Sequence, residues 1–268
     1  MASKYMARDD APFGEQIWAK IDEIVTGAAK AQLSGRRLLD IEGLFGLDLK
    51  SVPLNDEPVA DGAVKMLSSK ALPIPLLQAE FTLSARDLAT FEQTGFSLEP
   101  ESIATAAMAV AAQEDALIFD GHKDLGIAGL MSAKGAQSVK LGNWDEVGTA
   151  AADVIKAVNL LDAAGFHGPY LLGLNPGLYN LLFRLYPQGY QVEMQHVESI
   201  VGGKVIKAPG IKKGGVLLAS GSQFASIIVG QDMTTGFIGP DGADFRFKIV
   251  ESLAPRIRVP SSVCVLQG

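Results

Sequence analysis

Apolar residues recur with helical spacing near the start of the chain. Between Pro12 and Gly35 they fall three, four and five positions apart and share one face, whereas most charged residues take the other. Pro12 suits a first helical turn because it needs no N–H partner there, and Gly35 suits a helix end because glycine tolerates positive φ. The pattern predicts one amphipathic helix leading into a charged strand that ends near Gly43. Its apolar face comprises Ile17, Ile21, Ile24, Val25, Ala28 and Leu33.

The following segment has the pattern of an extended arm. Residues 50–70 are polar and irregular, and Ala71 to Leu83 is extended and apolar. Pro73 and Pro75 cannot donate ladder hydrogen bonds, so the predicted hairpin belongs at a sheet edge that needs a neighbour. Ser84 and the three residues after it have the spacing of a capping box and predict a short helix that ends at Gly95.

The middle of the chain is predicted to be mainly helical and its end mainly β. An alanine-rich helix is expected over Glu101–Phe119, and a second, amphipathic helix over Asp145–Ala164. From Lys204 onward, apolar runs broken by Gly and Pro predict strands, so the fold class is α+β. Three further predictions are a buried strand over Tyr170–Leu174, a helix capped by Asn175 and Pro176, and a loop over Tyr186–Tyr190.

The composition is apolar for a chain of this length. Of 268 residues 48% are hydrophobic and only 20% are charged, against about 25% charged in typical soluble domains. The mean hydropathy is +0.21. The chain therefore either buries apolar surface against copies of itself or is an ordinary enzyme with a large core.

Charge and cysteine content narrow the class of protein. A net charge of −7 and a pI near 5.0, without a Lys/Arg cluster, argue against nucleic-acid binding. The single Cys264 excludes an internal disulfide framework. The first residues lack the apolar core of a secretion signal, and no uninterrupted apolar run reaches the roughly 18 residues of a membrane span. We therefore expect a cytoplasmic protein without a membrane segment.

The usual patterns of catalytic and metal sites are missing from the sequence. The histidines stand far apart and outside any HExxH or Cys/His pattern, so no metal site is predicted. Glu114 and Asp115 point in different directions on a helix, which favours one solvated acid and one structural partner over a catalytic pair. Gly-rich segments follow neither phosphate-binding spacing, and Ser220 and Ser222 lack a nucleophile elbow.

Several blocks, in order along nearly the whole chain, resemble the encapsulin shell proteins, a family also described as linocin-like bacteriocins. The first is the helix followed by G-R-R-L-L-D at residues 35–40, which is similar to the family's G-R-[RK]-x-[VL]-D. The others are P-L-L-Q-A-E-F-T-L at residues 75–83, E-D-A-L-I-F at 114–119, G-P-Y at 168–170 and G-Q-D-M-T-T-G-F at 230–237.

The resemblance implies the Hong Kong 97 type of phage major capsid protein fold. On that fold, residues 1–49, 81–134 and 226–268 are expected to form the peripheral domain, with the first helix facing cargo. Residues 50–80 are expected to be the extended loop arm that pairs with an adjacent subunit, and residues 135–225 the axial domain. Five residues are expected to form a loop at the fivefold pore: Tyr186, Pro187, Gln188, Gly189 and Tyr190.

The same resemblance implies a self-assembling icosahedral shell, a nanocompartment of 60 copies, that is not itself an enzyme. The cargo is expected to be a dye-decolourising peroxidase or a ferritin-like protein, bound through a C-terminal targeting peptide, which links the compartment to oxidative stress or iron storage. The pores admit small substrates or ions. The residues expected to bind the peptide are Val25, Ala28, Ala29, Gln32, Leu33, Arg36, Asp40, Asp232, Met233 and Thr234.

No cofactor is expected on the shell. Some relatives bind flavin through an aromatic residue just after the F-T-L strand, and Arg86 stands at that position here. The alternative reading is a phage or prophage major capsid protein, because that fold is shared. A secreted bacteriocin or protease is a further alternative, against which the missing signal peptide and catalytic set both argue.

Overall fold

The computed structural model describes residues 5–60, 64–96, 98–187 and 189–268. The chain divides into two compact units. Unit 1 comprises the residues up to Gln32, Gly43–Glu114 and Ile228–Ala254, and unit 2 comprises Leu33–Glu42, Asp115–Ile227 and the residues from Pro255. The sequence-based boundaries placed residues 115–134 and 255–268 with the peripheral domain. They lie in unit 2, and residues 263–267 pair with two strands of its sheet.

The first helix is shorter than its apolar pattern predicts. Helix α1 spans Glu15–Gln32, and a separate short helix α2 spans Gly35–Leu38. Gly35 therefore begins a helix instead of ending one. A Cβ at this position would meet Ile118 Cδ1 at 2.6 Å and Asp115 Oδ1 at 3.2 Å, so glycine is needed here for close packing and not for positive φ. The charged strand follows as β1, Asp40–Gly43.

Unit 1 is built on antiparallel strands covered by helices. Strand β13 pairs with β4 on one side and with β12 on the other, and Phe247 is opposite both Phe81 and Phe237. The core between these strands and α1 is rich in aromatic rings; Phe81 and Phe247 stack with centroids 5.0 Å apart. The strands of this unit are β2 (Ser51–Ala60), β3 (Met66–Pro73), β4 (Leu76–Ser84), β12 (Thr234–Asp241) and β13 (Asp244–Ile257), the last three residues of which belong to unit 2.

The predicted hairpin is present as β2 and β3, which pair antiparallel within residues 51–73, but residues 76–80 of the predicted arm lie in β4 and pair with β13. Most of the hairpin's described side chains are exposed. The predicted short helix is α3, Ala85–Thr94, in which the Ser84 side chain accepts a hydrogen bond from Arg86 N and Gly95 adopts a left-handed conformation. The alanine-rich helix is α4 and has the predicted bounds, Glu101–Phe119.

Unit 2 contains a mixed sheet in the order β7-β14-β10-β8-β9. Strand β10 is antiparallel to β14 and β8, whereas β14 is parallel to β7 and β8 is parallel to β9. The strands wholly in unit 2 are β5 (Gly121–His122), β6 (Ile127–Ala128), β7 (Gln137–Lys140), β8 (Tyr170–Leu174), β9 (Val205–Lys207), β10 (Gly215–Ala219) and β14 (Val263–Gln267). Strand β11 (Ala225–Val229) has residues in both units.

Helices α5 (Thr149–Ala163), α6 (Pro176–Leu181) and α7 (Glu193–Val201) complete unit 2. The cap on α6 is as predicted, since Asn175 Oδ1 accepts from Leu178 N at 2.9 Å. Helix α5 starts four residues later than predicted. Helix α7 was not predicted, although its buried residues Met194, Val197 and Val201 have helical spacing and Gly202 ends it.

The expected solvated acid on α4 is wrong, because Glu114 and Asp115 are both buried. The Asp115 carboxylate accepts hydrogen bonds from Ser34 N, Ser34 Oγ and Gly35 N. Burial raises the pKa of Asp115 despite these bonds. The structural role of Asp115 is confirmed, and Glu114 also has a polar or electrostatic contact.

Helix α4 is also the one described helix that is long and apolar enough to cross a membrane. An apolar stretch of 18 residues in this helix has a mean hydropathy of 1.2, and 56% of that stretch is buried within the protein. The helix packs in the core of unit 1 through Ile103, Ala107 and Val110. A buried core helix accounts for this composition without a membrane.

The loop before α5 is held by a buried acid, Asp153. Its Oδ2 accepts from Gly142 N at 2.7 Å and from Trp144 Nε1 at 3.0 Å, and its Oδ1 accepts from Lys156 Nζ at 2.9 Å. Burial by itself raises the pKa of Asp153, but these hydrogen bonds outweigh burial and lower it.

We expect Asp153→Ala to lower the free energy of unfolding by roughly 1–3 kcal/mol, because the buried Trp144 Nε1–H and the partly buried Gly142 N–H lose their acceptor. Urea unfolding followed by tryptophan fluorescence measures this loss. Lys156→Met, which removes only the exposed partner, is the control and is expected to cost at most about 1 kcal/mol. The carboxylate stabilises the fold above pH 3.8, its ordinary pKa, and this contribution disappears as the pH falls through the lowered pKa. Equal stability of Asp153→Ala and the parent at pH 7 would contradict this role.

Candidate functional site

A groove of about 380 Å³ lies on unit 1 between α1 and the chain just before β12. This volume is within the range of roughly 300–1,000 Å³ for ligand pockets, so the groove has room for a few side chains. Three of the residues predicted to bind a peptide share it, Val25, Met233 and Thr234. The remaining lining residues are Arg8, Asp22 and Thr26.

The wall opposite α1 is a turn that is fixed by its own hydrogen bonds. Gln231 Nε2 donates to Asp232 O at 3.0 Å and to Thr234 Oγ1 at 2.8 Å. Met233 N donates to Asp232 Oδ1 at 2.9 Å, and Gln231 N donates to Ser252 Oγ at 2.8 Å. The G-Q-D-M-T-T-G-F block therefore begins with a turn that is ordered by hydrogen bonds and that holds Met233 and Thr234 against the groove.

Arg8 is the polar residue of the groove with the most partners. Its Nη1 and Nη2 donate to the two carboxylate oxygens of Asp22 at 2.8 and 2.6 Å, and its Nε donates to Thr235 O at 2.8 Å. The guanidinium carbon lies 4.5 Å from the centroid of the Trp18 ring. These contacts fix the plane of the guanidinium at the edge of the groove.

The segment that carries Arg8 lies along β12. Phe237 N donates to Met6 O at 2.8 Å, and the Met6 side chain is buried. A Cβ at position 236 would lie 2.9 Å from Met6 O and 3.2 Å from Met6 Cα. Gly236 of the sequence block therefore permits the close approach of the N-terminal segment.

The other predicted peptide-binding residues of α1 do not line this groove. Ala29 is buried, Ala28 packs against the core of unit 1, and Gln32 Nε2 lies 3.6 Å from Met108 Sδ. Asp232 is half-buried, with its side chain used inside the turn.

Leu33, Arg36 and Asp40 belong to unit 2 and are described there by themselves. Leu33 is buried, Arg36 is half-buried and has a polar or electrostatic contact, and Asp40 is exposed at the start of β1. Sequence reasoning missed Arg8, which stands alone before the helix, and Asp22, which it assigned to the solvent face. The sequence shows only that these two residues have opposite charges and stand 14 positions apart. That spacing does not predict an ion pair.

The predicted loop of unit 2 is confirmed for Tyr186, Pro187, Gly189 and Tyr190; Gln188 lies outside the described residues. Tyr186 N donates to Gln191 O and Gly189 N donates to Tyr186 O, both at 3.2 Å. The Tyr186 hydroxyl lies 3.0 Å from His196 Nδ1, whereas Tyr190 is fully exposed. Burial and the nearby Glu193 carboxylate raise the pKa of Tyr186, so its hydroxyl stays neutral near pH 7.

The described residues show no group of three or more His, Cys, Asp or Glu side chains that could hold a metal ion. Arg86, which follows the F-T-L strand, is exposed in the first turn of α3. The groove on unit 1 offers apolar contact and fixed hydrogen-bonding groups, which suits peptide binding.

Comparison with known proteins identifies the family. The family model Linocin_M18, described as "Encapsulating protein for peroxidase", matches residues 3–254. The chain belongs to the encapsulin shell proteins. It is 30% identical over 277 residues to the type 1 encapsulin shell protein EncA of Myxococcus xanthus, covering 98% of this chain and 96% of EncA.

Two fusion proteins are also similar to this encapsulin chain. It is 31% identical to a diheme-cytochrome-encapsulin shell fusion protein of Kuenenia stuttgartiensis, covering 94% of this chain and 73% of the fusion. It is 26% identical to a ferritin-like-encapsulin shell fusion protein of Pyrococcus furiosus, covering 87% of this chain and 64% of the fusion.

Solved structures bear out the predicted capsid fold. A virus-like particle from Pyrococcus furiosus matches with a TM-score of 0.75 at 22% identity, over 94% of this chain and 99% of that one. The capsid of Myoviridae phage XM1 matches with a TM-score of 0.63 at 11% identity, over 86% and 89%. The phage protein shares the fold, whereas the family model and EncA share the sequence, so the phage capsid alternative is the weaker one.

We expect Gly236→Ala to detach the N-terminal segment from β12, because the new Cβ meets Met6 O at 2.9 Å. Hydrogen exchange measured by mass spectrometry should show faster exchange in residues 5–10 and at Phe237 N. Gly27→Ala is the matched control, since nothing lies within 4 Å of a Cβ there. Unchanged protection in Gly236→Ala would show that the segment docks without needing this glycine.

Proposed function

We propose that this encapsulin chain closes into an icosahedral shell of 60 copies in the cytoplasm and encloses a cargo protein. Closed point symmetry lets one repeated interface end without forming fibres, and icosahedral symmetry needs sixty copies at minimum. Family membership supports the shell role. The shell itself is a structural component, and the enclosed cargo carries out the catalysis.

The groove on unit 1 is the observation that carries the cargo proposal. It joins an apolar floor, Val25 and Met233, to fixed polar groups, Arg8, Asp22 and Thr234. An extended peptide with Leu or Ile side chains matches this combination, because pockets for side chains and groups for the main chain lie side by side. We assign the groove to the C-terminal targeting peptide of the cargo.

The exposed β2–β3 hairpin is proposed to pair with an adjacent copy of the shell protein. An isolated two-stranded hairpin is marginally stable in water. Val59, Met66 and Leu67 are each about 60% exposed on this hairpin in the single chain. A neighbouring subunit supplies the surface that would cover them.

The proposed cargo is a dye-decolourising peroxidase or a ferritin-like protein. The family description names a peroxidase, and the fusion relatives carry a ferritin-like and a diheme-cytochrome part. These names favour redox or iron chemistry inside the shell. No flavin is proposed on the shell, because Arg86 offers no ring for flavin stacking.

We expect Thr26→Trp to empty the shells of cargo without preventing assembly, because Thr26 is exposed and lines the groove. Shells purified from the native host are examined by negative-stain electron microscopy, and co-purifying protein is measured by mass spectrometry. Ala31→Trp, on an exposed position rotated by about 140° around α1, is the control and should keep its cargo.

Closed shells with one abundant second protein in the parent, which is lost in Thr26→Trp but kept in Ala31→Trp, support the proposal. Monomers or small oligomers would contradict the shell, and full loading in Thr26→Trp would contradict the groove. In the same assay, the double variant Arg36→Ala, Asp40→Ala tests the polar candidates of unit 2 and is expected to form intact but empty shells.

The Tyr186–Tyr190 loop is proposed to line the fivefold pore, and we expect it to select solutes by size. The loop carries no charged residue, so it sets no strong electrostatic barrier of its own. Entry rates of anionic and cationic probes of equal size into dye-loaded shells should therefore be similar. A strong preference for one sign of charge would contradict this role.

A further inference from the structure

The Arg8–Asp22 pair keeps unused hydrogen-bonding capacity in the groove. A guanidinium has five N–H donors, and Arg8 uses one on each of Nε, Nη1 and Nη2. One donor on each terminal nitrogen remains. The side chains of Arg8 and Asp22 are 21% and 45% exposed, so both are accessible from the groove.

We infer that Arg8 and Asp22 bind the main chain of the targeting peptide, Arg8 by donating to a peptide carbonyl and Asp22 by accepting from a peptide N–H. This inference rests on the proposed function of the groove. The pair holds the peptide in register, while Val25 and Met233 contact an apolar side chain.

The position of Asp22 argues for a main-chain carbonyl over a carboxylate as the group that Arg8 binds. The Arg8 guanidinium already faces the Asp22 carboxylate at 2.6–2.8 Å. A second carboxylate on the same guanidinium would lie close to Asp22, and like charges at that distance repel. A neutral carbonyl meets no such repulsion.

The geometry of Arg8 is fixed before a peptide arrives. The Thr235 carbonyl, the Asp22 carboxylate and the Trp18 ring hold the guanidinium from three sides. The Met6 contact with Phe237 N holds the backbone that carries it. A donor that is already ordered loses little conformational freedom on binding, so its hydrogen bond adds fully to affinity and register.

The test compares the retention of a synthetic peptide by reassembled shells. The first probe is a fluorophore-labelled peptide with the sequence of the C-terminal segment of the protein that co-purifies with parent shells. The other probes are a series of the same peptide in which single main-chain amides are replaced by esters. Each ester weakens one carbonyl acceptor and removes one N–H. Shells are reassembled with peptide, separated from free peptide by gel filtration and measured for bound dye.

We expect Arg8→Met and Arg8→Lys each to weaken retention roughly tenfold, the effect of losing one charge-assisted hydrogen bond. Arg246→Met is the matched control. Arg246 forms an ion pair of the same length, 2.6 Å, with Glu80 in unit 1, but its side chain is 42% exposed and does not line the groove. Its retention should equal that of the parent.

The ester series separates direct contact from a structural role. One ester should weaken binding to parent shells but have no effect on Arg8→Met shells, since the partner is already missing. An ester effect of equal size in both shells would overturn the inference, as would unchanged retention in Arg8→Met. If Thr26→Trp empties the shells while Arg8→Met stays fully loaded, the inference fails and the groove stands. If neither variant loses cargo, the assignment of the groove to the targeting peptide fails as well, whereas the proposed shell fails only if no closed particles form.

Discussion

The packing of α1 onto the aromatic core of unit 1 is the interaction on which the groove depends. Phe13 and Trp18, at the start of the helix, lie against Phe247 with ring centroids 5.7 and 5.8 Å away, and Phe247 stacks on Phe81. Each such ring buries a large apolar area, and tilted or edge contacts add to it. This contact fixes the rotation of α1 about its own axis. It therefore decides that Val25 faces the turn at Met233 while Thr26 remains at the groove's open side.

The N-terminal segment is tied to the same core from the other side. Arg8 lies over Trp18 and pairs with Asp22, one helical turn further along α1. Gly236 lets the segment reach β12, the strand that also carries Phe237 into the core. One packing arrangement thus orders the helix, the turn and the segment that bounds the groove. A shell protein that must present the same binding surface in every copy benefits from such a rigid support.

The sequence predicts the elements of this fold better than their contacts. Helix α4 and the cap of α3 follow from local signals, which act within a few residues and survive in any tertiary context. Gly35 was misread because a glycine that ends a helix and one that permits close packing look alike in sequence. The burial of Glu114 was missed for a similar reason, since helical spacing does not say that a helix is covered on several sides. Val25 and Met233 could be paired only through family resemblance, and Arg8 has no periodic signal at all.

The apolar composition and the exposed hairpin have the same physical consequence, because both leave apolar side chains that need another surface to cover them. Each compact unit has a buried core, whereas Val64, just before β3, and Met66 and Leu67 on β3 remain exposed. The cross-strand pair of Lys70 and Glu57 is 72% and 60% exposed, so it adds little stability. The hairpin therefore lacks a core of its own, and its apolar side chains are satisfied only by another surface. In the proposed shell the next subunit supplies that surface, and burial of the hairpin's apolar side chains is then coupled to closure of the shell.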